Sequence, residues 1–400
     1  MFQATKPLSR IRVLDLTNVL AGPFCCHQLA HMGAEVIKAE AVGRGDLARN
    51  LGADRALNDA GMGVSFLAQN AGKKSVTLNL KHDAGKDLLK RLVATADVLV
   101  ENFRPGVMDR LGVGYDVLKI AKPDLIYCAI SGFGQDGPWV DRPAYDQIIQ
   151  GLSGVMSITG DHESAPLRVG YPIADTVGGL TAAFAITAAL NAEKRGAFLD
   201  VSMLESVLTT MGWAISNYLI AGVEPGPHGN ENVTSAPSGA FRTKDGLINI
   251  AANKEEQWIQ FARHLGQDDL LANKAYATRD DRKTNRLSLK AELENVLMTR
   301  TAAEWADELN RLGVPAGQVL TVPDVLAEPQ IADRGFLAEF SEAPGTTRDI
   351  HLATTGFKVD GDTPKVADPP PELGQHNETI WKALGLDPDD IKRLREAGTI

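Results

Sequence analysis

The sequence predicts an α/β protein with an open, mostly parallel β-sheet in a larger domain and an α+β arrangement in a smaller one. Short β-branched apolar runs alternate with helical patterns over the first 200 residues, which is typical of a parallel sheet with helices on both faces. A stretch rich in Gly, Pro and Asn interrupts this alternation at residues 221–239. The chain of 400 residues also exceeds what a single hydrophobic core usually supports.

Each strand of the larger domain is predicted from a short, buried, apolar run. These runs lie at residues 11–16, 35–39, 76–80, 97–100, 125–130 and 198–201. The helical patterns between them cover residues 23–32, 84–95, 115–121 and 147–155. Ligands of such sheets bind at the carboxyl ends of the strands. We therefore expect the loops at residues 17–22, 101–105 and 131–138 to line one crevice.

The smaller domain is predicted over residues 221–330. A strand at 247–251 and helices at 255–265, 286–299 and 302–312 form it. Residues 1–220 form the larger domain, and residues 331–400 return to strand signals and a charged helix near 389–396.

Composition excludes several classes of protein. The net charge of −10 argues against a general nucleic-acid-binding protein, which needs a basic face. The longest apolar stretch is interrupted by Gly178, Gly179 and Asn191, so no membrane span is expected. The first ten residues lack the apolar core of a signal peptide. Three cysteines form no disulfide framework, which favours a reducing cytoplasm.

Three kinds of site are absent or weak as sequence motifs. The turn after the first strand lacks G-x-G-x-x-G, which argues against a nicotinamide-dependent oxidoreductase. No G-x-S-x-G elbow of a serine hydrolase occurs. Cys25, Cys26, His27 and His31 are not followed by a second pair of ligands at usable spacing, so no metal site is expected.

Asp175 lies where an extended segment, "PLRVGYPIA", meets a long apolar helix, "TVGGLTAAFAITAALNAEKR", that we expect to be buried on all sides. Its carboxylate is suited either to capping that helix or to acting as an anionic nucleophile at a strand–helix turn. The local sequence leaves both interpretations open.

A phosphate site is predicted after the fourth strand, in "ENFRPGVMDRLG". Asn102, Phe103 and Arg104 follow the strand, and Pro105 is expected at the first position of a short helix. The free amides of that helix, together with Arg104, suit a phosphate. Lys73 and Lys74 add positive charge, although solvated surface lysines are the alternative. The glycine-rich segment 130–138 is either a ligand-contacting loop or a plain turn.

In order along the chain, "VLDLTNVLAGPFC", "GAEVIKAE", "KKSVTLNLKH", "ADVLVENFRPGVMDRLG", "LIYCAISGFGQDGP", "YDQIIQGLSGVMSITG", "VGYPIADTVGGL" and "LDVSMLES" resemble segments of the class III CoA-transferases, or CaiB/BaiF family. Later segments such as "FRTKDGLINIAAN" and "ELGQHNETIWKALGLDPDDIKRL" resemble the same family. The resemblance implies a large Rossmann-like domain built from both termini, a small domain, and two subunits interlinked like rings.

The resemblance also implies the function. Asp175 matches the catalytic aspartate of the transferases, which attacks an acyl-CoA to give an aspartyl–acyl anhydride and then an aspartyl-CoA thioester. Coenzyme A and its acyl thioester are expected as substrates, and no metal is expected. Its expected contacts are Val19, Leu20, Ala21, Lys73, Lys74, Asn102, Phe103, Arg104 and Tyr145.

Alternatives within the same fold stay open. The α-methylacyl-CoA racemases resemble this chain nearly as well, but they carry a histidine where this sequence has Tyr145. A phenol ordinarily holds its proton until about pH 10 and is a poor base at neutral pH, which favours transfer over racemisation. A CoA-binding protein without catalysis is the other alternative.

The acceptor is expected to be a small di- or hydroxycarboxylate. Leu20 stands where formyl-CoA:oxalate transferases carry glutamine, and the loop "GNENVTSAPSG" lacks their run of glycines, which argues against oxalate. Arg168 either contacts the substrate or forms a structural ion pair.

Overall fold

A computed structural model of the chain describes residues 6–341 and 343–400. It contains two compact units. The first comprises the residues up to Val155, Arg168–Val223 and Pro329–Ile400, and the second comprises Met156–Leu167 and Glu224–Glu328. The segment Met156–Leu167 belongs to the second unit, although the sequence pattern does not separate it from the larger domain.

Six parallel strands form the sheet of the first unit. The strands of the chain are β1 (Arg12–Asp15), β2 (Glu35–Glu40), β3 (Lys73–Thr77), β4 (Val98–Glu101), β5 (Ile126–Ser131), β6 (Ala197–Ser202), β7 (Ser238–Arg242), β8 (Leu247–Ala251), β9 (Ala316–Gln318), β10 (Leu337–Phe340) and β11 (Ile350–Ala353). The large sheet has the order β3-β2-β1-β4-β5-β6, and each neighbouring pair is parallel. The predicted parallel sheet is confirmed, although β3 begins three residues before the predicted run.

The α-helices of the described residues are divided between the two units. They are α1 (Ala21–His31), α2 (Arg55–Asp59), α3 (Val64–Asn70), α4 (Asp83–Ala94), α5 (Val107–Arg110), α6 (Tyr115–Ala121), α7 (Asp146–Leu152), α8 (Ile173–Leu190), α9 (Met203–Thr210), α10 (Gly212–Ala221), α11 (Glu255–His264), α12 (Asp268–Ala272), α13 (Arg279–Thr284), α14 (Arg286–Leu297), α15 (Ala302–Arg311), α16 (Val322–Ala327), α17 (Pro329–Asp333), α18 (Asn377–Ala383) and α19 (Pro388–Glu396).

Strands β1 and β4 are neighbours at the centre of the sheet. From β1 the chain continues to β2 and β3 on one side, and from β4 it continues to β5 and β6 on the other side. Helices α1 and α8 pack together and contact the sheet on one face. A large apolar cluster covers the other face and includes Leu88 and Leu92 of α4, Leu118 of α6 and Trp381 of α18. The loops after β1 and β4 therefore lie at the point where doubly wound sheets bind their ligands.

Helix α8 is only partly buried, which corrects the prediction of a helix buried on all sides. Its 18 residues have a mean hydropathy of 1.6, enough by length and composition to cross a membrane. It packs instead against α1, α9 and the strands β5 and β6, as a core helix does. Leu180 and Phe184 on its remaining face are exposed, Phe184 by 76%.

The second unit has a core of its own. Strands β7, β8 and β9 form an antiparallel sheet in that order. Trp258 and Phe261 of α11, Leu293 of α14 and Trp305 of α15 are buried against it. The apolar faces of α14 and α15 thus pack on the sheet, as the predicted α+β pattern requires.

The outer edge of β3 is covered by the C-terminal segment of the first unit. The backbone N–H groups of Ser75 and Thr77 donate to His376 Nδ1 at 3.1 Å and to Asn377 Oδ1 at 2.8 Å. The backbone N–H of His376 donates in turn to the Ser75 carbonyl at 2.9 Å. The edge strand therefore has few open hydrogen-bonding groups.

Candidate active site

Asn102 joins the loop after β4 to the loop after β1. Its Oδ1 accepts a hydrogen bond from the backbone N–H of Asn18 at 2.8 Å, and its Nδ2 donates to the Asn18 carbonyl at 2.8 Å. Both polar groups of the side chain are therefore used within the protein. Asn102 fixes the shape of the first loop, whether or not it also contacts a ligand.

Val19, in the same loop, has a φ of +67°. This left-handed conformation is unusual for a β-branched residue. Asp46 Oδ1 accepts a hydrogen bond from the Val19 N–H at 2.9 Å, and Lys38 Nζ lies 2.9 Å from Asp46 Oδ2. Lys38 also donates to the Thr17 carbonyl at 2.7 Å. A buried ion pair thus holds the backbone immediately before α1.

The first turn of α1 follows this loop and has no side-chain cap. Leu20 precedes the helix and Ala21 is its first residue. The amides of an uncapped first turn need an acceptor from water or from a ligand. The structure therefore places the predicted contact residues Val19, Leu20 and Ala21 consecutively at the start of α1. The N–H of Val19 is bonded to Asp46, and the open backbone donors are those of Leu20 and Ala21.

Asp175 is the third residue of α8, and it does not cap the helix. No residue in the described part of the chain donates a hydrogen bond to its carboxylate. The cap comes instead from Asp146 of α7, whose Oδ1 accepts a hydrogen bond from the Ala174 N–H at 2.9 Å. Gln150 donates to the other oxygen of Asp146 at 2.7 Å. The capping interpretation of Asp175 is therefore wrong.

The surroundings of Asp175 oppose its ionisation. Burial, and then the negative charge of Asp146, raise the pKa of Asp175 to about 7. A carboxyl group of this kind changes its charge near physiological pH. Once ionised, it is a stronger base and nucleophile than a solvated carboxylate.

Two glycines bring α8 against its neighbours just after Asp175. A Cβ on Gly179 would lie 2.5 Å from the carbonyl oxygen of Ala21, and one on Gly178 would lie 3.0 Å from Met203 Cγ. Residues four apart share a face of a helix, so Asp175 lies one turn above the contact with Ala21. The carboxylate therefore lies at the carboxyl edge of the sheet, beside the loop after β1.

The two predicted lysines both form ion pairs within the protein. Lys73 is fully buried, and its Nζ lies 2.8 Å from Asp15 Oδ2 and 2.9 Å from the Pro23 carbonyl. Lys74 lies at the amino end of β3, with its Nζ 2.5 Å from Glu35. Each ammonium is therefore paired with a carboxylate of the protein.

The segment after β4 also departs from its prediction. Helix α5 begins at Val107 and has only four residues, so Pro105 is not its first residue. Gly106 precedes it in a left-handed conformation, with a φ of +75°. The predicted position of Pro105 as the first residue of this helix is therefore wrong. Arg104 is exposed and has no ion-pair partner among the described residues, and Phe103 packs against the core of the first unit.

A cavity of about 540 Å³ adjoins this segment at Pro105. Glu101, Arg110, Tyr127 and Gln135 contribute to its lining. Burial raises the pKa of Glu101 to about 7, although its Oε2 accepts a hydrogen bond from the Phe103 N–H at 2.7 Å. Of the glycine-rich segment 130–138, Ile130 and Ser131 end β5 and Gln135 lines the cavity from the loop that follows.

Tyr145 precedes Asp146 in the chain, and Arg168 is the ion-pair partner of Asp146. Tyr145 is 68% exposed, and its side chain makes no capping hydrogen bond at the start of α7. Arg168 Nη2 lies 3.3 Å from Asp146 Oδ2, and half of the arginine side chain is exposed. Of the two interpretations of Arg168, the structure shows the ion pair.

The comparison with known proteins agrees with this arrangement. The profile of CoA-transferase family III matches residues 8–377. The chain belongs to CoA-transferase family III. It is 35% identical to the succinyl-CoA:glutarate CoA-transferase of Mus musculus, over 99% of this chain and 90% of that protein. It is 38% identical to the acetyl-CoA:oxalate CoA-transferase of Acetobacter aceti, over 83% of this chain and 85% of that protein.

Solved structures of the family have the same fold. A CaiB/BaiF family protein from Brucella suis superposes with a TM-score of 0.83 at 32% identity, covering 95% of this chain and 100% of that one. The family inferred from the sequence motifs is thus confirmed, and the protein is an enzyme that transfers CoA from an acyl-CoA to a carboxylic acid.

Two residues of this CoA-transferase are not among those that the sequence predicts. Asp146 caps α8, and Asp46 holds Val19. Asp146 lies 28 residues before Ala174, so no local pattern in the sequence signals its role as the cap of α8. No group of three or more His, Cys, Asp or Glu side chains in residues 6–341 and 343–400 is arranged to hold a metal ion. Cys25, Cys26, His27 and His31 are buried in α1.

Proposed function

We propose that Asp175 is the covalent nucleophile of this transferase. One observation carries the proposal: Asp146 caps α8, and no residue in 6–341 or 343–400 forms a hydrogen bond with the Asp175 carboxylate at the carboxyl edge of the sheet. A capping residue has its lone pairs directed at backbone amides, whereas Asp175 has both oxygens available to an acyl carbon.

The reaction then proceeds through exchange at a carbonyl carbon. The Asp175 carboxylate attacks the acyl thioester, the C–S bond breaks, and CoA thiolate leaves an aspartyl–acyl anhydride. The thiolate attacks the aspartyl carbonyl and releases the donor acid as its carboxylate. The acceptor carboxylate attacks the aspartyl-CoA thioester, the C–S bond breaks, and CoA thiolate leaves an aspartyl–acceptor anhydride. The thiolate then attacks the acceptor's carbonyl, which forms the product acyl-CoA and releases Asp175 as its carboxylate. No net proton is consumed.

We also propose that CoA lies along the loops after β1 and β4. Val19, Leu20 and Ala21 present their backbone there, and Arg104 has a free guanidinium at the end of β4. Phe103 and Tyr145 are expected further contacts. Lys73 and Lys74 are left out of this proposal because each is paired with a carboxylate. Arg104→Ala should weaken CoA binding by about 1.5–3 kcal/mol, measured by calorimetry.

A dicarboxylate is the proposed acceptor. The two relatives above are named for glutarate and for oxalate, so oxalate belongs in the acceptor screen despite the difference at Leu20. Arg168 uses one nitrogen on Asp146 and keeps further donors for the distal carboxylate of an acceptor. Arg168→Lys should raise the KM for a dicarboxylate more than that for a monocarboxylate of equal length.

An interlinked homodimer is the proposed assembly. Helix α10 has no buried residue, although Trp213, Leu219 and Ile220 are 62%, 73% and 85% exposed. With Leu180 and Phe184 of α8 they form apolar surface that a monomer rarely leaves in water. Sedimentation at micromolar protein should show a dimer, and an active monomer would contradict it. The free, buried Cys25, Cys26 and Cys128 support a cytoplasmic location.

Trapping the covalent intermediate tests the nucleophile directly. Incubation with succinyl-CoA followed by borohydride or hydroxylamine should modify the peptide that contains Asp175, as read by mass spectrometry. Modification of another carboxyl group, with Asp175 intact, would assign the nucleophile elsewhere.

A further inference from the structure

Val19 is held in a conformation that its side chain disfavours. At a φ of +67° the Cβ of a β-branched residue crowds the backbone. Glycine adopts such a conformation without strain, but this chain has valine at the position. Something outside Val19 must therefore hold the loop.

Asp46 is the group that does so. Its Oδ1 accepts hydrogen bonds from the backbone N–H groups of Val19 and Ala48, both at 2.9 Å. Asp46 is buried, with an exposed fraction of 1%. Burial opposes its ionisation, but Lys38 and the two amides outweigh burial and hold the pKa of the carboxyl below its usual value.

Lys38 keeps Asp46 charged and in place. Its Nζ lies 2.9 Å from Asp46 Oδ2, and it donates to the Thr17 carbonyl at 2.7 Å. The hydrogen bonds of Asn102 to Asn18 hold the residue between them. The backbone from Thr17 to Val19 is thus fixed residue by residue, directly before the uncapped start of α1.

We propose that Asp46 is a positioning residue for the acyl-CoA substrate: by holding Val19 in its left-handed conformation it aims the open amides of Leu20 and Ala21 at the substrate. The inference rests on the proposed CoA contact of this loop. A preorganised loop lowers the free energy needed to order it on binding. Removing Asp46 should therefore raise the KM for acyl-CoA and not change kcat.

Four variants separate this role from a structural one. Asp46→Ala should raise the KM for acyl-CoA about tenfold, equivalent to about 1.4 kcal/mol, with kcat changed less than about threefold. Asp46→Asn keeps an acceptor for Val19 but removes the charge beside Lys38. It should lower Tm by about 4 °C or more and leave KM near that of the wild type.

In the double variant Asp46→Ala, Val19→Gly, glycine adopts the left-handed conformation unaided, so KM should recover while Tm stays low. Asp54→Ala, which removes the carboxylate cap of α2 at Leu57, is the matched control and should not change KM.

Amide hydrogen exchange keeps this inference distinct from the proposed CoA site. Adding CoA to the wild type should slow exchange in the peptide that contains Leu20 and Ala21. No protection there would remove the proposed contact and the positioning role with it. Protection in the wild type, with KM unchanged in Asp46→Ala or not recovered by Val19→Gly, would overturn the role of Asp46 alone.

Discussion

Asp15 and Asp175 are two carboxyl groups of the first unit with opposite electrostatics. Asp15 is fully buried at the end of β1, with Lys73 Nζ at 2.8 Å and Lys38 Nζ at 3.8 Å. Burial opposes its ionisation, but the two lysines outweigh burial and lower the pKa of Asp15 to about 2. Asp175 has a carboxylate as its charged neighbour and no lysine, and its pKa rises to about 7.

The difference shows that burial by itself does not identify a reactive carboxylate. Asp15 is the more deeply buried of the two, but its charge is neutralised and its oxygens are bonded to Thr17 and Lys73. Asp175 has no such partner in the part of the chain that the structure describes. A nucleophile needs free lone pairs and an accessible path, so the unpaired carboxylate is the one suited to chemistry.

The largest expected effect is on transfer itself. Asp175→Ala should lower kcat by at least about 10³-fold, because the covalent path is lost, while CoA binding persists in calorimetry. Asp200→Asn is a matched control, since burial also raises the pKa of Asp200 but this carboxyl accepts a hydrogen bond from the Gln135 N–H. Appreciable CoA exchange between succinyl-CoA and a carboxylate by a folded Asp175→Ala protein would show that the unpaired carboxylate of Asp175 is not the nucleophile.

The next largest expected effect is a lower free energy of unfolding when the paired carboxylate of Asp15 is removed. Asp15→Asn leaves the ammonium of Lys73 buried without its counter-charge, and should lower the free energy of unfolding by about 3–5 kcal/mol. The stabilisation from wild-type Asp15 is present above about pH 4 and is lost as the pH falls through about 2, because its folded pKa lies below its unfolded one. Denaturant titrations at pH 7 measure the loss, and an unchanged midpoint would refute the pairing.

The substitution Asp175→Asn should change the free energy of unfolding in the opposite direction and stabilise the protein. Since the folded pKa of Asp175 is raised, ionisation destabilises the native state, and asparagine should stabilise it by about 2–4 kcal/mol at pH 8. The gain should grow between about pH 4 and pH 7, level off above, and vanish below pH 4. Thermal unfolding of both proteins across this range tests it. A gain that does not depend on pH would have another cause.

A smaller effect is a shift in the pH dependence of transfer. The rate should rise as Asp175 loses its proton, with a midpoint near pH 7. Asp146→Asn keeps an acceptor for the Ala174 N–H but removes the negative charge, so the midpoint should move to lower pH. Single-turnover rates with succinyl-CoA, measured as a function of pH, give the midpoint of this rise. A midpoint unchanged by the substitution would mean that Asp146 acts only as the cap.

The smallest expected effect concerns Tyr145. Since a phenol is a weak base at neutral pH, the enzyme should not exchange the α-proton of a chiral 2-methylacyl-CoA in D₂O. Tyr145→Phe should leave that absence unchanged. Deuterium incorporation at a rate comparable to CoA transfer, lost in Tyr145→Phe, would instead indicate racemase chemistry.

The sequence predicts the elements of this fold better than the contacts between them. Alternating apolar runs predict the parallel sheet, because strands buried on both faces are locally visible. Lys73 is the clearest failure: a lysine at a strand end is usually solvated, and its partner Asp15 lies 58 residues away. Asp146 and Ala174 are likewise 28 residues apart. Local patterns contain no information about such pairs, so the capping of α8 becomes visible only in the fold.

The covering of β3 by residues near the C-terminus has a consequence for synthesis on the ribosome. Ser75 and Thr77 find their partners about 300 residues later, at His376 and Asn377. All six strands of the sheet therefore leave the ribosome well before the segment that protects their edge. A nascent chain with an open strand edge is prone to pair with other chains. Proteins truncated before residue 374 should accumulate in inclusion bodies, because the unprotected edge persists.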